Sequence, residues 1–270
     1  MLRSVKHLDG FKIRATDGDI GTVTECYFDD VSFTVRYVVV DTGTKRMTHQ
    51  GWLVERKVLV SPIAVRAIDW DDKRIEAALT KTQVEKSPDI DTKKPVSRQH
   101  EIAYHGYYGY APYWAGSYLW GAYPYPYAGS GPALSAAKLK RERHWNWEAK
   151  QSQDPHLRSS REVTGYHIHA TDGDIGHVED FLVDDVSWAI RYMVVDTINW
   201  WPGKKVLVAP EWIERVDWDK SMVHVHLGRE KIRTSPEYDP ARPIERAYET
   251  RLYGHYAQPR YWDEWHDKGI

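Results

Sequence analysis

One stretch of the chain is present twice. Residues 10–42 read GFKIRATDGDIGTVTECYFDDVSFTVRYVVVDT and residues 165–197 read GYHIHATDGDIGHVEDFLVDDVSWAIRYMVVDT, aligned without a gap by the shift that carries Asp17 onto Asp172 (172 − 17 = 155). A repeat of this length constrains the architecture more than any other feature, since each copy must be the same supersecondary unit. A second matched block, Lys57-Val58-Leu59-Val60-Ser61-Pro62 against Lys205-Val206-Leu207-Val208-Ala209-Pro210, sits at a shift of 148. The second copy is therefore seven residues shorter between the blocks (155 − 148), where a surface loop is expected.

Within each copy the patterning is that of strands. Residues 11–15 alternate and end at Asp17-Gly18, a strong signal for a tight hairpin because Gly supplies positive φ at no steric cost. In the next strand, 20–29, the apolar residues fall at Val23 and then at Cys26 and Phe28, an odd separation repeated by Val178, Phe181 and Val183. A β-bulge near Glu25 and Asp180 restores the inward phase and bends the strand, as small barrels require. Asp29-Asp30-Val31-Ser32 reads as a turn. The following strand, 33–42, is apolar on both faces (Phe33, Val35, Tyr37 and Val39; Val38 and Val40), which makes it central. Residues 57–62 form a fourth strand after a loop-like insert at 43–56, and 63–70 with 74–79 a further hairpin. Thr80-Lys81-Thr82-Gln83 has capping-box spacing.

The expected organisation is a first repeat at 1–86, an arm at 87–114, an aromatic linker and polar helix at 115–157, a second repeat at 158–234, and a second arm with the tail at 235–270. Pro95 and Pro243 suit first helical positions. Val96, His100, Tyr104 and Tyr108, like Ile244, Tyr248, Leu252 and Tyr256, recur every four residues and predict one apolar stripe on a short helix. Residues 107–131 are mostly Tyr, Gly, Pro, Ala and Trp, without a charge and without periodicity, hence an irregular linker. Residues 133–150 read as a polar helix with Lys138, Lys140, Arg141 and Arg143 close together.

Composition excludes several classes. The 37 Lys and Arg nearly balance the 39 Asp and Glu, so steering toward a polyanion is not expected and nucleic acid is a poor partner. The one cysteine, Cys26, faces Phe181 in the alignment and reads as an apolar filler. The opening MLRSVKHLDGFKI lacks a secretory h-region, and no run of 18 apolar residues occurs. A cytoplasmic protein is the expectation.

Candidate site residues follow from the same reading. Asp17, Gly18 and Gly21, with Asp172, Gly173 and Gly176, are assigned to turns and structure. An EF-hand counted from Asp17 would need Glu at its twelfth position, where Phe28 stands. Arg36 and Asp41, and Arg191 and Asp196, lie on opposite faces of the central strand and read as ion-pairing or interface residues. His167 with His169, and His224 with His226, share strand faces in pairs, short of the ligand count of a zinc site. Tyr108, Tyr113, Trp114, Trp120, Trp145 and Trp147 form a candidate interaction surface, with lipid contact as one use of it. No catalytic, cofactor or metal residue is assigned, since no Ser-His-Asp spacing, P-loop or dinucleotide fingerprint occurs.

The run of Asp-Gly-Asp-Ile-Gly, Asp-Asp-Val-Ser, Arg-Tyr-x-Val-Val-Asp-Thr and Lys-Val-Leu-Val-x-Pro, with the tail Ser-Pro-Glu-Tyr-Asp-Pro, resembles the PRC-barrel domain. That is the β-barrel of the photosynthetic reaction-centre H subunit and of a ribosome-maturation factor. The resemblance covers about two thirds of the chain and implies a mainly β fold: two tandem small barrels related by a pseudo-two-fold axis, each trailed by an arm with a short helix. It further implies a non-enzymatic docking module for an unknown protein partner, often dimeric. A ribosome- or RNA-associated factor and a peripheral membrane component are the alternatives.

Overall fold

The computed structural model describes residues 1–47, 53–88, 90, 96–128, 156–197 and 203–263. They fall into two compact units. The repeat-one unit is Val5–Arg161 with Asp184–Ala189, and the repeat-two unit is Met1–Ser4 with Glu162–Val183 and Ile190–Ile270.

The repeat-one unit is built on strands β2 (Lys12–Ala15), β3 (Gly18–Asp29), β4 (Thr34–Met47), β5 (Leu53–Val60), β6 (Val65–Asp69) and β7 (Arg74–Ala77), in the order β5-β4-β3-β2-β7-β6. The repeat-two unit repeats this with β9 (His167–Ala170), β10 (Gly173–Asp184), β11 (Ile190–Asp196), β12 (Lys205–Val208), β13 (Ile213–Asp217) and β14 (Met222–Val225), in the order β12-β11-β10-β9-β14-β13. Pairing is antiparallel except at β2–β7 and β9–β14, which are parallel. The seventh strand of each sheet comes from the segment that precedes the other repeat: β8 (Leu157–Ser159) pairs with β3, and β1 (Leu2–Ser4) pairs with β10.

The mainly β, duplicated architecture is as the sequence predicts, but the barrel is not. Neither sheet closes: β5 and β6 stand at opposite ends of one order, β12 and β13 at opposite ends of the other. The bulges expected near Glu25 and Asp180 are present as register shifts after Val23 and after Val178. They bend the long strands without bringing the outer ones together. A helix covers the repeat-one core: Tyr104 and Val96 of the arm pack with Tyr27, Tyr37, Val39, Leu59 and Leu157, so apolar surface is removed from water with no strand closure. The barrel identity inferred from the motifs falls on this topology. The insert at 43–56 also differs from expectation, since β4 runs on to Met47 and pairs with β5 through Lys45↔Glu55 and Met47↔Leu53, lengthening the ribbon.

The helices are α1 (Lys81–Glu85), α2 (Arg98–Tyr108), α3 (Ser160–Val163), α4 (Arg229–Arg233) and α5 (Arg246–Tyr256). Thr80 and Gln83 make the reciprocal capping box expected for α1. Ser97 caps α2, and Gly109 ends it with φ 71°. Pro243 lies three residues before the first residue of α5 and is not its first helical position; Pro95 lies outside the described residues, as does the polar helix expected at 133–150. Each arm helix buries two rows where the four-residue spacing shows one. In α2, Glu101 and His105 join Tyr104; in α5, Glu249 and Tyr253 join Leu252 and Tyr256.

Candidate functional site: a buried carboxylate under each arm

The second row brings a carboxylate into each core. Glu101 is fully buried. Its Oε1 accepts from Tyr113 Oη at 2.8 Å and Tyr37 Oη at 3.2 Å. Its Oε2 stands 3.0 Å from Arg98 Nη1 and 2.9 Å from His156 Nε2. A buried anion survives only when its lone pairs are matched in this way. Tyr37 comes from the central strand, Arg98 from the same helix face at i−3, Tyr113 from the segment after α2, and His156 from the residue before β8. One side chain thus ties the arm, the sheet and the exchanged strand.

Arg36, 3% exposed, lies beside this cluster. It donates to Leu119 O at 2.6 Å and Ser32 Oγ at 2.9 Å, approaches Asp29 at 4.0 Å, and stacks 3.7 Å from the Tyr113 ring centroid and 4.9 Å from that of Trp120. Burial lowers its pKa from the ordinary arginine value, opposed by Tyr113 and Asp29. Burial and the nearby Glu101 charge hold the Tyr37 hydroxyl well above the ordinary tyrosine range, and the same two causes act on Tyr113. These phenols are poor nucleophiles and poor general acids at neutral pH.

His105 completes the network. Nδ1 faces Ala111 O at 3.1 Å and Nε2 faces Tyr37 Oη at 3.1 Å. A carbonyl only accepts, so the ring proton of the neutral imidazole sits on Nδ1, and the one Tyr37 hydroxyl proton is shared between Glu101 Oε1 and His105 Nε2. Burial pulls the His105 pKa down to about 4, against the pull of Glu101. The imidazole is neutral in the folded state near pH 6 and about three-quarters protonated there in the unfolded chain. Below its unfolded pKa of about 6.5 the unfolded state binds the extra proton, so stability falls with pH until about 4, by up to about 1.4 kcal/mol per pH unit. Urea unfolding of the repeat-one unit at pH 7 and pH 5 should show that loss, and His105→Gln should remove this part of it.

The repeat-two unit has the same arrangement, its arm residues 148 positions on and its strand residues 155. Glu249 Oε1 accepts from Tyr192 at 2.8 Å and Tyr261 at 2.9 Å, and Oε2 pairs with Arg246 at 2.8 Å. Arg191 stacks 4.3 Å from the Tyr261 ring centroid, and Tyr253 takes the place of His105. Arg246 stacks on Trp262 at 4.2 Å as Arg98 stacks on Trp114 at 4.2 Å.

The sequence-predicted residues are distributed as follows. Arg36, Tyr113, Trp114 and Trp120 meet at the Glu101 cluster, and Tyr108 packs on Tyr104 beside it. Trp120 Nε1 donates to Ser187 O at 2.7 Å, so this ring is engaged within its own unit. Asp41 is not an ion-pair partner of Arg36; it accepts from Gly43 N at 2.9 Å. Asp196 lines a polar cleft of about 740 Å³ with Lys204, Lys205, Glu237, Tyr238 and Arg242. Lys205 is paired there with Glu179 at 2.7 Å, and Lys204 Nζ donates to Ser235 O at 2.6 Å. Asp17 and Asp172 each accept a distant backbone N–H, from Lys81 at 2.8 Å and Arg229 at 2.7 Å, pinning α1 and α4 to the hairpin turns. Gly18 and Gly173 take positive φ at those turns, 136° and 132°. Gly21 and Gly176 lie against the backbone of the neighbouring strand. Trp145 and Trp147 lie outside the described residues. The sequence reading missed Glu101, Glu249, Arg98, Arg246, His105 and His156. The 148 shift held the signal, since it sets Arg98-x-x-Glu101 on Arg246-x-x-Glu249 and Tyr113-Trp114 on Tyr261-Trp262.

The fold and this site define a class: a duplicated, mainly β protein of two open sheets, each clasped by an arm helix through a buried glutamate. No protein-family profile matches the chain, and no curated protein matches it. The docking module of two PRC-barrels, with its ribosome- or RNA-associated and peripheral-membrane alternatives, rested on closed barrels and loses that basis on the open sheets. No helix among the described residues is long and apolar enough to cross a membrane.

Proposed function

We propose that this chain works by strand addition and carries out no chemistry of its own. The single observation behind this reading is the seat of β8 on β3. Leu157, Arg158 and Ser159 pair with Asp29, Phe28 and Tyr27, and His156 O accepts from Asp30 N at 2.9 Å. Leu157 enters the core, Arg158 Nε meets Asp30 at 2.9 Å, Ser159 Oγ bonds Glu25, and Ser160 Oγ accepts from Cys26 N at 3.1 Å. Main-chain pairing supplies affinity and the alternating pockets supply selectivity, the logic of an added strand. The same Leu-Arg-Ser triplet recurs at β1, where Ser4 bonds Asp180, the counterpart of Glu25.

In this reading the partner is a second copy of the same fold. Within one chain the effective concentration is about millimolar, so exchange in cis prevails in dilute solution. Between chains, the same seats give a strand-exchanged homo-oligomer. Two differently labelled populations, unfolded together and refolded at millimolar concentration, should yield mixed dimers, and refolding at micromolar concentration should yield monomers. Arg158→Pro with Arg3→Pro should abolish the mixed species: Asp30 pairs with His156 through its N–H, so alternation puts the next main-chain donor of the added strand at Arg158, and Arg3 is its counterpart in the other Leu-Arg-Ser triplet. Refolding that gives no mixed species at any concentration, or gives it equally with the double proline variant, defeats the proposal.

A further inference from the structure

We propose that the outward face of the repeat-two sheet holds a two-imidazole site for a borderline divalent transition metal (Zn²⁺, Ni²⁺ or Cu²⁺), with His169 and His224 as its protein ligands and Asp174 orienting the first. The site emerges only from the topology. β9 and β14 are far apart in sequence yet run parallel as neighbours, and His224 is the direct register partner of His169. Ile168, Ala170, Val223 and Val225 alternate with these residues and are buried, so both imidazoles stand on the solvent side. His167 is the register partner of His177 across the other edge of β9, which adds two more imidazoles to the same face.

The geometry suits a shared ion. The His169 and His224 ring centroids lie 5.3 Å apart, at an interplanar angle of 64°. With a metal–nitrogen distance of about 2.1 Å, each centroid stands about 3.2 Å from the ion, and the observed 5.3 Å then subtends about 110°, close to the tetrahedral angle. His169 Nδ1 is 2.7 Å from Asp174 Oδ1. The carboxylate holds the proton on Nδ1 and leaves the Nε2 lone pair as donor, the arrangement that orients histidine ligands. Imidazole donors favour zinc, nickel and copper over magnesium or calcium. Among the described residues no three His, Cys, Asp or Glu side chains are grouped to hold an ion, so water completes the coordination. Arg215 opposes binding, its Nη2 standing 3.5 Å from His224 Nδ1. The repeat-one sheet supplies an internal control: its aligned positions are Lys12, Arg14, Thr22 and Glu76, with no imidazole.

The test is calorimetric titration of the full chain, prepared without a histidine tag, with Zn²⁺, Ni²⁺ and Cu²⁺ in turn. One saturable site is expected. His169→Gln and His224→Gln should each weaken it tenfold or more, Asp174→Asn by about tenfold, and Arg215→Gln should tighten it. Copper should selectively broaden the His169 and His224 resonances in NMR spectra. These exposed positions leave the core intact, which a melting curve of each variant checks. A wild-type chain that takes up no ion at millimolar metal, or a His169→Gln/His224→Gln double variant that binds as tightly as wild type, overturns the proposal.

Discussion

Glu101→Ala should lower the stability of the repeat-one unit by about 3–5 kcal/mol, the usual consequence of removing one member of a buried charged network. The loss has two sources. Arg98 and His156 lose their anion, and two buried phenols, Tyr37 and Tyr113, lose an acceptor. An orphaned buried donor costs about 1–3 kcal/mol, and this falls in full on Tyr113, since Tyr37 keeps His105 Nε2 as an acceptor. The arm should loosen first, since Glu101 is the anchor it shares with β4 and with the residue that leads into β8. Amide hydrogen exchange in α2 should therefore accelerate more than in β3 or β4. Glu101→Gln keeps the volume and one acceptor oxygen and should cost less. Glu249→Ala should act in the same direction on the repeat-two unit but less strongly, because Arg246 is 55% exposed and can recover water. Denaturant unfolding with Trp fluorescence measures both. A Glu101→Ala change below about 1 kcal/mol would mean that water reaches the carboxylate and that it does not anchor the arm.

This anchor shows where the sequence was legible and where it was not. Period-two patterning and the Asp-Gly turns placed the strands, because alternation reports directly which side of a strand is buried. The bulge could be found from one misplaced apolar residue in each copy. Closure could not. Whether the outermost strands pair depends on the lengths of β5–β7 and on what covers the concave side, and neither is written in local periodicity. The arm helices were legible as helices but only by their apolar row; Glu101 and Glu249, being charged, fall outside that row. A charge at the same place in both copies, three residues after an arginine, was the available sign that the second row is buried too. The exchanged strands are three residues long, below the length at which periodicity is informative, although Leu-Arg-Ser before each repeat marked them. The histidine face was legible only in halves, since His169 and His224 are 55 positions apart (224 − 169) and meet through a parallel pairing that no hairpin rule foretells.

Gly176→Ala should destabilise the repeat-two unit by about 3 kcal/mol, the upper end of what overpacking costs. Gly176 has no unusual φ, so conformational freedom is not the reason. A Cβ there would lie 1.9 Å from Asp196 O and 2.9 Å from Asp196 C, both backbone atoms of the neighbouring strand. Gly21 repeats the constraint, with a Cβ 2.0 Å from Asp41 O. The close approach follows the register shift between Asp174 and Gly176, which tucks Ile175 fully into the core and draws the end of β11 across the glycine. Relief requires separating two strands at the centre of the sheet, where no flexible side chain can give way. Gly254→Ala is the matched control. That position is inside α5, exposed, with nothing within 4 Å of an added Cβ, and alanine should there stabilise by up to about 1 kcal/mol through helix propensity. The same chemical change at two sites of one unit thus carries opposite signs, and urea unfolding followed by Trp212, which is buried in that unit, reads both. A Gly176→Ala midpoint indistinguishable from wild type would mean that β10 and β11 do not approach each other this closely.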